Sequence, residues 1–201
     1  MSSVPKQYVT AAQYLSIDRR AEYKSEFFQG EMFAKAGGTE SHNLIIMNAV
    51  REVSLQFKGK PCKVYPSDMR VKVSQTGLYT YADVTVVCGE ARFDEDAPRD
   101  TLLNPTVLFE VSESTEAYDR GQKFAHYRRI PSLKEYVLIS QDRPRVEHFV
   151  RQPDGQWLFS EVEGLDQVLH LPSIGVSLSL AELFDRVEFP AAPDADVAAG
   201  R

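Results

Sequence analysis

The chain has 201 residues, 43% of them apolar and 26% charged, with a formal net charge of −6. That length and balance suit one well-buried core, and they argue against a disordered chain, a fibrous repeat, or a protein that binds nucleic acid through a generally basic surface. No apolar run reaches the roughly 18 residues that cross a bilayer, and MSSVPKQYVT lacks the basic-then-apolar order of a secretory signal, so a cytoplasmic protein is expected. Cys62 and Cys88 have no metal-ligand spacing, and a reducing compartment would keep them as small, mostly apolar side chains. Residues 1–189 are expected to form a single domain, and the Ala/Pro/Asp-rich stretch 190–201 a mobile tail.

Thr10 and Gln13 have the spacing of a capping box, which predicts a helix running into SIDRR. In SEFFQGEMFAKAG two short apolar-rich runs flank Gln29-Gly30, the pattern of a hairpin turn. HNLIIMNAVREVSLQF places Ile46, Val50, Val53 and Phe57 on one helical face and predicts a core-packing helix. CKVYPSD, MRVKVS and LYTYADVTVVCG favour strands, with Gln75-Thr76-Gly77 between the last two, and they suggest a meander. TVLFEVS, preceded by Asn104-Pro105, reads as a strand buried on both faces at the centre of the sheet. STEAYDRGQKFAHYRR reads as a helix ended by Pro131. EYVLIS is the next strand, and RVEHFVRQ and WLFSEVEG form a hairpin about Asp154-Gly155. Ser179 and Glu182 would cap a short closing helix.

Two carboxylates stand out from this pattern. Strand alternation puts Asp83 on one face with Tyr81 and Thr85 in an otherwise apolar run, and Glu110 lies between Phe109 and Val111. A buried carboxylate must be neutralised, paired with a cation or placed at a metal. Acidic oxygens converging from adjacent strands suit Mg²⁺ and phosphodiester hydrolysis, and a structural ion pair with Arg or Lys satisfies them equally well. Lys123 shares a helical face with Arg120, Phe124 and Tyr127 and could bring an ammonium to the same site, although a lone helical lysine is more often exposed. His42 at a helix start suits terminal packing or hydrogen bonding better than catalysis. Gly37-Gly38 lacks a following Lys-Ser pattern and reads as a turn.

Taken in order, SEFFQGEMFAKAGGTESHNLI, YPSDMRVKV, LYTYADVTVVCGE, LLNPTVLFEVSESTEAYDRGQKFAHYRRIPSLKEYVLIS and LPSIGVSLSLAELF resemble the Uma-type family of restriction-endonuclease-like proteins, a branch of the PD-(D/E)xK nucleases. The resemblance runs from about Tyr8 to Val187. It implies an α/β fold with a restriction-endonuclease-like core, in which a central mixed β-sheet is flanked by helices and carries additional β-hairpins. It also implies Mg²⁺-dependent endonuclease chemistry on DNA, with Mn²⁺ as a substitute, and a homodimer. Asp83 and Glu110 take the positions of the motif's acidic residues, the Val111 backbone carbonyl that of a further metal ligand, and Lys123 that of the catalytic lysine, with Lys134 as runner-up. Glu26 matches an acidic position before the first hairpin turn, either a metal ligand or an exposed strand carboxylate. Ala82 replaces the motif's proline and Ser112 its lysine. A catalytically weak or inactive nucleic-acid-binding protein of the same fold and an acidic protein-interaction module are the competing readings.

Overall fold

In the computed structural model, which describes residues 8–35, 37–94, 98–112 and 116–190, Thr10 caps α1 (Ala11–Asp18) in a complete capping box with Gln13. β1 (Ser25–Phe28) and β2 (Glu31–Ala34) pair antiparallel across Gln29 and Gly30, whose φ values of 49° and 86° make the turn that matches strand twist. α2 (Glu40–Gln56) follows a Thr39 cap. Its buried face centres on Ile45, Ala49 and Val53 rather than Val50, which is only partly buried.

The segments expected as a meander divide between two sheets. β4 (Arg70–Val73) and β5 (Leu78–Tyr81) form a hairpin across a turn that includes Gly77, and β5 also bonds β1. With β2 and the short β7 (Thr101–Leu102) they make a five-stranded sheet. β3 (Cys62–Pro66) instead pairs with β6 (Val84–Cys88) in a six-stranded sheet. The run LYTYADVTVVCG therefore breaks at Ala82-Asp83, where the chain crosses from one sheet to the other. The simple alternation expected for Tyr81, Asp83 and Thr85 ends at that break, because the two halves bond different partners.

The six-stranded sheet continues through β8 (Val107–Ser112), β9 (Glu135–Ser140), β10 (Arg145–Arg151) and β11 (Trp157–Glu163). β8 runs parallel to β9 and antiparallel to β6, so the sheet is mixed, as expected for a restriction-endonuclease-like core. Every residue of β8 is buried. Val107, Phe109 and Val111 pack in one cluster with α2, while Leu108 belongs to a second cluster with Phe124, Tyr127 and Tyr136. The strand's uniform apolarity thus follows from cover on both faces.

The helical segment after β8 is α3 (Glu116–Tyr118), a π-helical turn (Asp119–Lys123) and α4 (Phe124–Tyr127). The expected start near Thr115 lies outside the described residues. So do residues 191–201 of the expected tail. A further hairpin, β12 (Val168–Leu171) with β13 (Val176–Ser179), closes the core and leads into α5 (Leu180–Leu183). Ser179 precedes α5 as anticipated, but its side chain makes no capping bond.

The cysteines overturn an expectation. Register places Cys62 directly opposite Cys88 on β3 and β6, and the two are joined in a disulfide rather than left as separate thiols. A separation of 26 residues carries no sign of this; it follows from which strands pair. No helix among the described residues is long and apolar enough to cross a membrane.

Candidate active site

A cavity of about 420 Å³ opens where the two sheets meet, and its lining includes Glu26, Asp83, Glu110, Asp119, Lys35 and Lys123. Each arrives by a different local device. Glu110 points from the fourth position of β8, and Asp83 lies at the sheet crossing, its backbone N–H bonded to the Phe109 carbonyl at 3.1 Å. Glu26 lies on β1, while Lys35 and His42 come from the end of the first hairpin and the first turn of α2. The π-helical turn spaces Asp119 and Lys123 so that both are buried, 4% and 5% exposed, and Tyr127 follows one turn later. A π turn inserts one extra residue per turn and is frequent where a helix must aim side chains at a site.

Asp83 has all its near partners in place. Its Oδ1 receives a hydrogen bond from Lys35 Nζ at 2.9 Å, and its Oδ2 lies 2.9 Å from the donating Val111 N–H and 3.2 Å from His42 Nε2. Burial would raise the pKa of this carboxyl, but His42 and Lys35 outweigh burial and hold it well below the usual range. Lys35 also donates to the Tyr81 carbonyl at 2.9 Å, which fixes its ammonium over the strand break.

Glu110 is in a different state. Tyr127 Oη donates to its Oε1 at 2.7 Å, and Lys123 Nζ stands 2.8 Å from the same oxygen. Burial pushes the Glu110 carboxyl up to about 8; Lys123 opposes the shift, while Asp83 and Asp119 add to it. Lys123 lies 3.6 Å from both Glu26 Oε1 and Asp119 Oδ1. Burial alone would depress the lysine, yet three surrounding carboxylates keep it firmly protonated. Glu26 additionally accepts a 2.5 Å bond from Thr80.

The cavity thus gathers Asp83, Glu110, Lys123 and Glu26, together with Val111, whose N–H is engaged by Asp83. Ser112 is buried but lines a small separate crevice with Ser140, Arg145 and Glu147, and Lys134 is exposed at the approach to β9. His42 takes up the hydrogen-bonding role open to a residue at a helix start, with Asp83 as its partner. Two neighbours, Lys35 and Asp119, were not singled out by the sequence. The one available signal was helical spacing, since Asp119, Lys123 and Tyr127 recur at intervals of four.

Gly38 has a specific part in this geometry. A Cβ built there would lie 2.2 Å from His42 Nδ1, so only glycine lets the imidazole tuck under the loop. The buried Nδ1 has no hydrogen-bond partner among the described residues.

The donor set fits a hard divalent cation. Glu26, Asp83, Glu110 and Asp119 bring oxygen donors into one cavity with Lys35, Lys123 and His42, and burial is the main cause that raises the Glu110 carboxyl, with Asp83 and Asp119 adding to it. Among the described residues no three His, Cys, Asp or Glu side chains are preassembled as a metal cage. Mg²⁺ does not need one, because it commonly takes one or two carboxylates and keeps waters or substrate phosphate in its other positions.

The chain is similar to two proteins of Synechocystis sp. One is the uncharacterized protein sll1609, 39% identical over 78% of this chain and 88% of that protein. The other is the uncharacterized protein slr1290, 31% identical over 93% and 97% of the two chains. In fold it matches the crystal structure of a putative nuclease belonging to DUF820 from Anabaena variabilis, with a TM-score of 0.71, 18% identity, and coverage of 88% of this chain and 97% of that one. Residues 11–181 match the Uma2 family, described as putative restriction endonuclease, and the chain belongs to that family.

Proposed function

We propose that this protein is a metal-dependent nuclease that hydrolyses DNA phosphodiester bonds in the cavity at the sheet junction. The observation that carries the reading is geometric: Asp83 from the sheet crossing, Glu110 from β8 and Glu26 from β1 converge with Lys123 on one accessible cavity. Acidic oxygens gathered at an accessible cavity are suited to a cationic ligand.

Asp83 and Glu110 are the carboxylates that would hold Mg²⁺, or Mn²⁺ in its place, with the Val111 carbonyl and Glu26 as further oxygen donors. Mg²⁺ when bound supplies positive charge against the phosphoryl oxygens and favours deprotonation of water nearby. Lys123, kept charged by Glu110, Glu26 and Asp119, orients the attacking water and stabilises the extra negative charge of the transition state. Its place on the helix after β8 supports it as the stand-in for the lysine that Ser112 lacks. His42 and Lys35 position Asp83, each gripping one of its oxygens. Tyr127, whose hydroxyl is held protonated by burial and by Glu110, fixes the Glu110 carboxyl from the other side.

The test is cleavage of supercoiled plasmid and of single-stranded DNA with Mg²⁺, Mn²⁺ or chelator. Asp83→Asn and Glu110→Gln keep side-chain size and remove one ligand charge, and each should reduce cleavage by more than about 100-fold, beyond the usual loss for an outer-shell partner. Circular dichroism should show both variants folded. Full cleavage by either folded variant would remove these residues from the mechanism, and binding without any cleavage would favour the inactive nucleic-acid-binding reading.

A further inference from the structure

Two exposed aromatic rings stand on the cavity lining. Phe33 is 49% exposed and Tyr118 40% exposed; Tyr8, Tyr23 and Phe159 are exposed as well, but they do not line the cavity. Phe33 lies directly opposite Glu26 in the β1–β2 register, and paired residues on antiparallel strands share a face, so its ring accompanies the Glu26 carboxylate toward the cavity. Tyr118 ends α3, immediately before Asp119, and approaches from the helical side. The rings therefore belong to two different elements that both line the same cavity.

The charges in the cavity are arranged in a way that disfavours a duplex. Its two lysines are already bonded to carboxylates, Lys35 to Asp83 at 2.9 Å and Lys123 to Glu110 at 2.8 Å. A duplex footprint of about six to ten phosphate contacts requires about as many available cations. The chain as a whole carries −6. The chemical groups are also sunken: Asp83, Glu110 and Lys123 are 3%, 2% and 5% exposed, so a scissile phosphate must descend below the surface. A rigid duplex presents its phosphates along a convex cylinder. A single strand can bow into the cavity while its bases turn outward onto aromatic faces, and base stacking supplies affinity without phosphate contacts.

We propose that the cavity takes single-stranded DNA, with bases stacked on Phe33 and Tyr118 on either side of the scissile phosphate. This rests on the nuclease reading for the phosphate's place, but its binding test does not depend on turnover. A single strand needs one active site, so the twofold dimer that duplex cleavage calls for is not required.

The experiment uses the full chain, with oligonucleotides carrying 2-aminopurine at one position, single-stranded or annealed, in Ca²⁺ for binding and in Mg²⁺ or Mn²⁺ for cleavage. Single strands should bind at least tenfold tighter than the matching duplex, with 2-aminopurine emission quenched on binding. Raising salt from 50 to 200 mM should weaken single-strand binding by less than about tenfold, the response expected of one or two phosphate contacts. Phe33→Leu and Tyr118→Leu keep apolar bulk and remove the stacking face. Each should weaken single-strand binding roughly tenfold and reduce the quench, raising KM more than it lowers kcat. Duplex bound or cut as well as single strand would overturn the proposal while leaving the nuclease reading intact. Binding and quenching that follow the rings without any cleavage would sustain it and remove the nuclease reading. No binding of any oligonucleotide would overturn it, as would a dimer that dissociates in the ring variants while wild-type affinity for single strands persists.

Discussion

Two ionic clusters with buried centres lie close together, one beside the five-stranded sheet around Asp18 and Arg70 and one at its junction with the six-stranded sheet, and of the two the second opens into the cavity. In the closed cluster Asp18 accepts bonds from the Ser25 N–H at 2.8 Å, from Arg70 at 2.6 Å and from Tyr81 at 2.5 Å. Arg70 extends to Thr101 at 2.9 Å and to Asp100 at 3.3 Å, and Asp100 meets Arg19 at 2.8 Å. Acids and guanidinium groups alternate there, two against two. In the open cluster Asp83, Glu110, Glu26 and Asp119 meet Lys35, Lys123 and His42 around a cavity, and burial pushes the Glu110 carboxyl up to about 8. A buried carboxylate is therefore no sign of function by itself; convergence of several on an accessible cavity is.

Removing Arg70 tests the closed cluster most severely. Arg70→Ala leaves Asp18 buried without its cation, and unfolding in urea should show a loss of about 3–5 kcal/mol. A variant as stable as wild type would show that the two clusters do not differ in the way described. Lys123→Met sharpens the other side, since it keeps much of the stem and removes the charge. Cleavage should fall by about 100-fold or more while Mn²⁺ binding, followed by calorimetry, persists. Wild-type turnover in this variant would refute the role given to Lys123.

Smaller effects probe how each cluster is held. Gly38→Ala places a methyl against His42 Nδ1 and should loosen the imidazole from Asp83. Cleavage should drop roughly tenfold, the lower end for an outer-shell partner, with a stability loss of about 1–3 kcal/mol. An unshifted His42 resonance in NMR spectra would contradict this. Asp100 is the mildest case: burial would raise its carboxyl, but Arg19 and Arg70 hold it at about 2. A depressed acid contributes stability that is full above its ordinary value, near 3.8, and is lost as pH falls through about 2. Asp100→Asn should therefore be less stable than wild type at neutral pH, with the gap closing in that acid window. A gap of constant size down to pH 2 would rule the linkage out.

Both clusters show how far residue patterns reach. Asp83 and Glu110 were conspicuous because each interrupts a strand-forming apolar run, and a carboxylate there needs a compensating partner. The same logic did not flag Asp18 or Arg70, which lie in mixed polar surroundings along the chain. Lys123 was legible through helical periodicity and the family resemblance. Lys35 was not, because nothing local distinguishes a lysine that turns over a strand break from one that faces water.

Local interactions within a few residues let the sequence determine α1 with its capping box, the Gln29-Gly30 and Asp154-Gly155 hairpins, and the doubly buried strand at β8. These depend on side-chain periodicity, turn conformation and capping, all encoded nearby. The tertiary structure alone decided that LYTYADVTVVCG divides between two sheets and that β3 pairs with β6 rather than β4. The same long-range pairing joins Cys62 to Cys88 and brings residues 26, 35, 83, 110, 119 and 123 around one cavity. Such choices rest on which distant strands bury one another's faces, and many alternative registers satisfy the same local pattern until the whole core is packed.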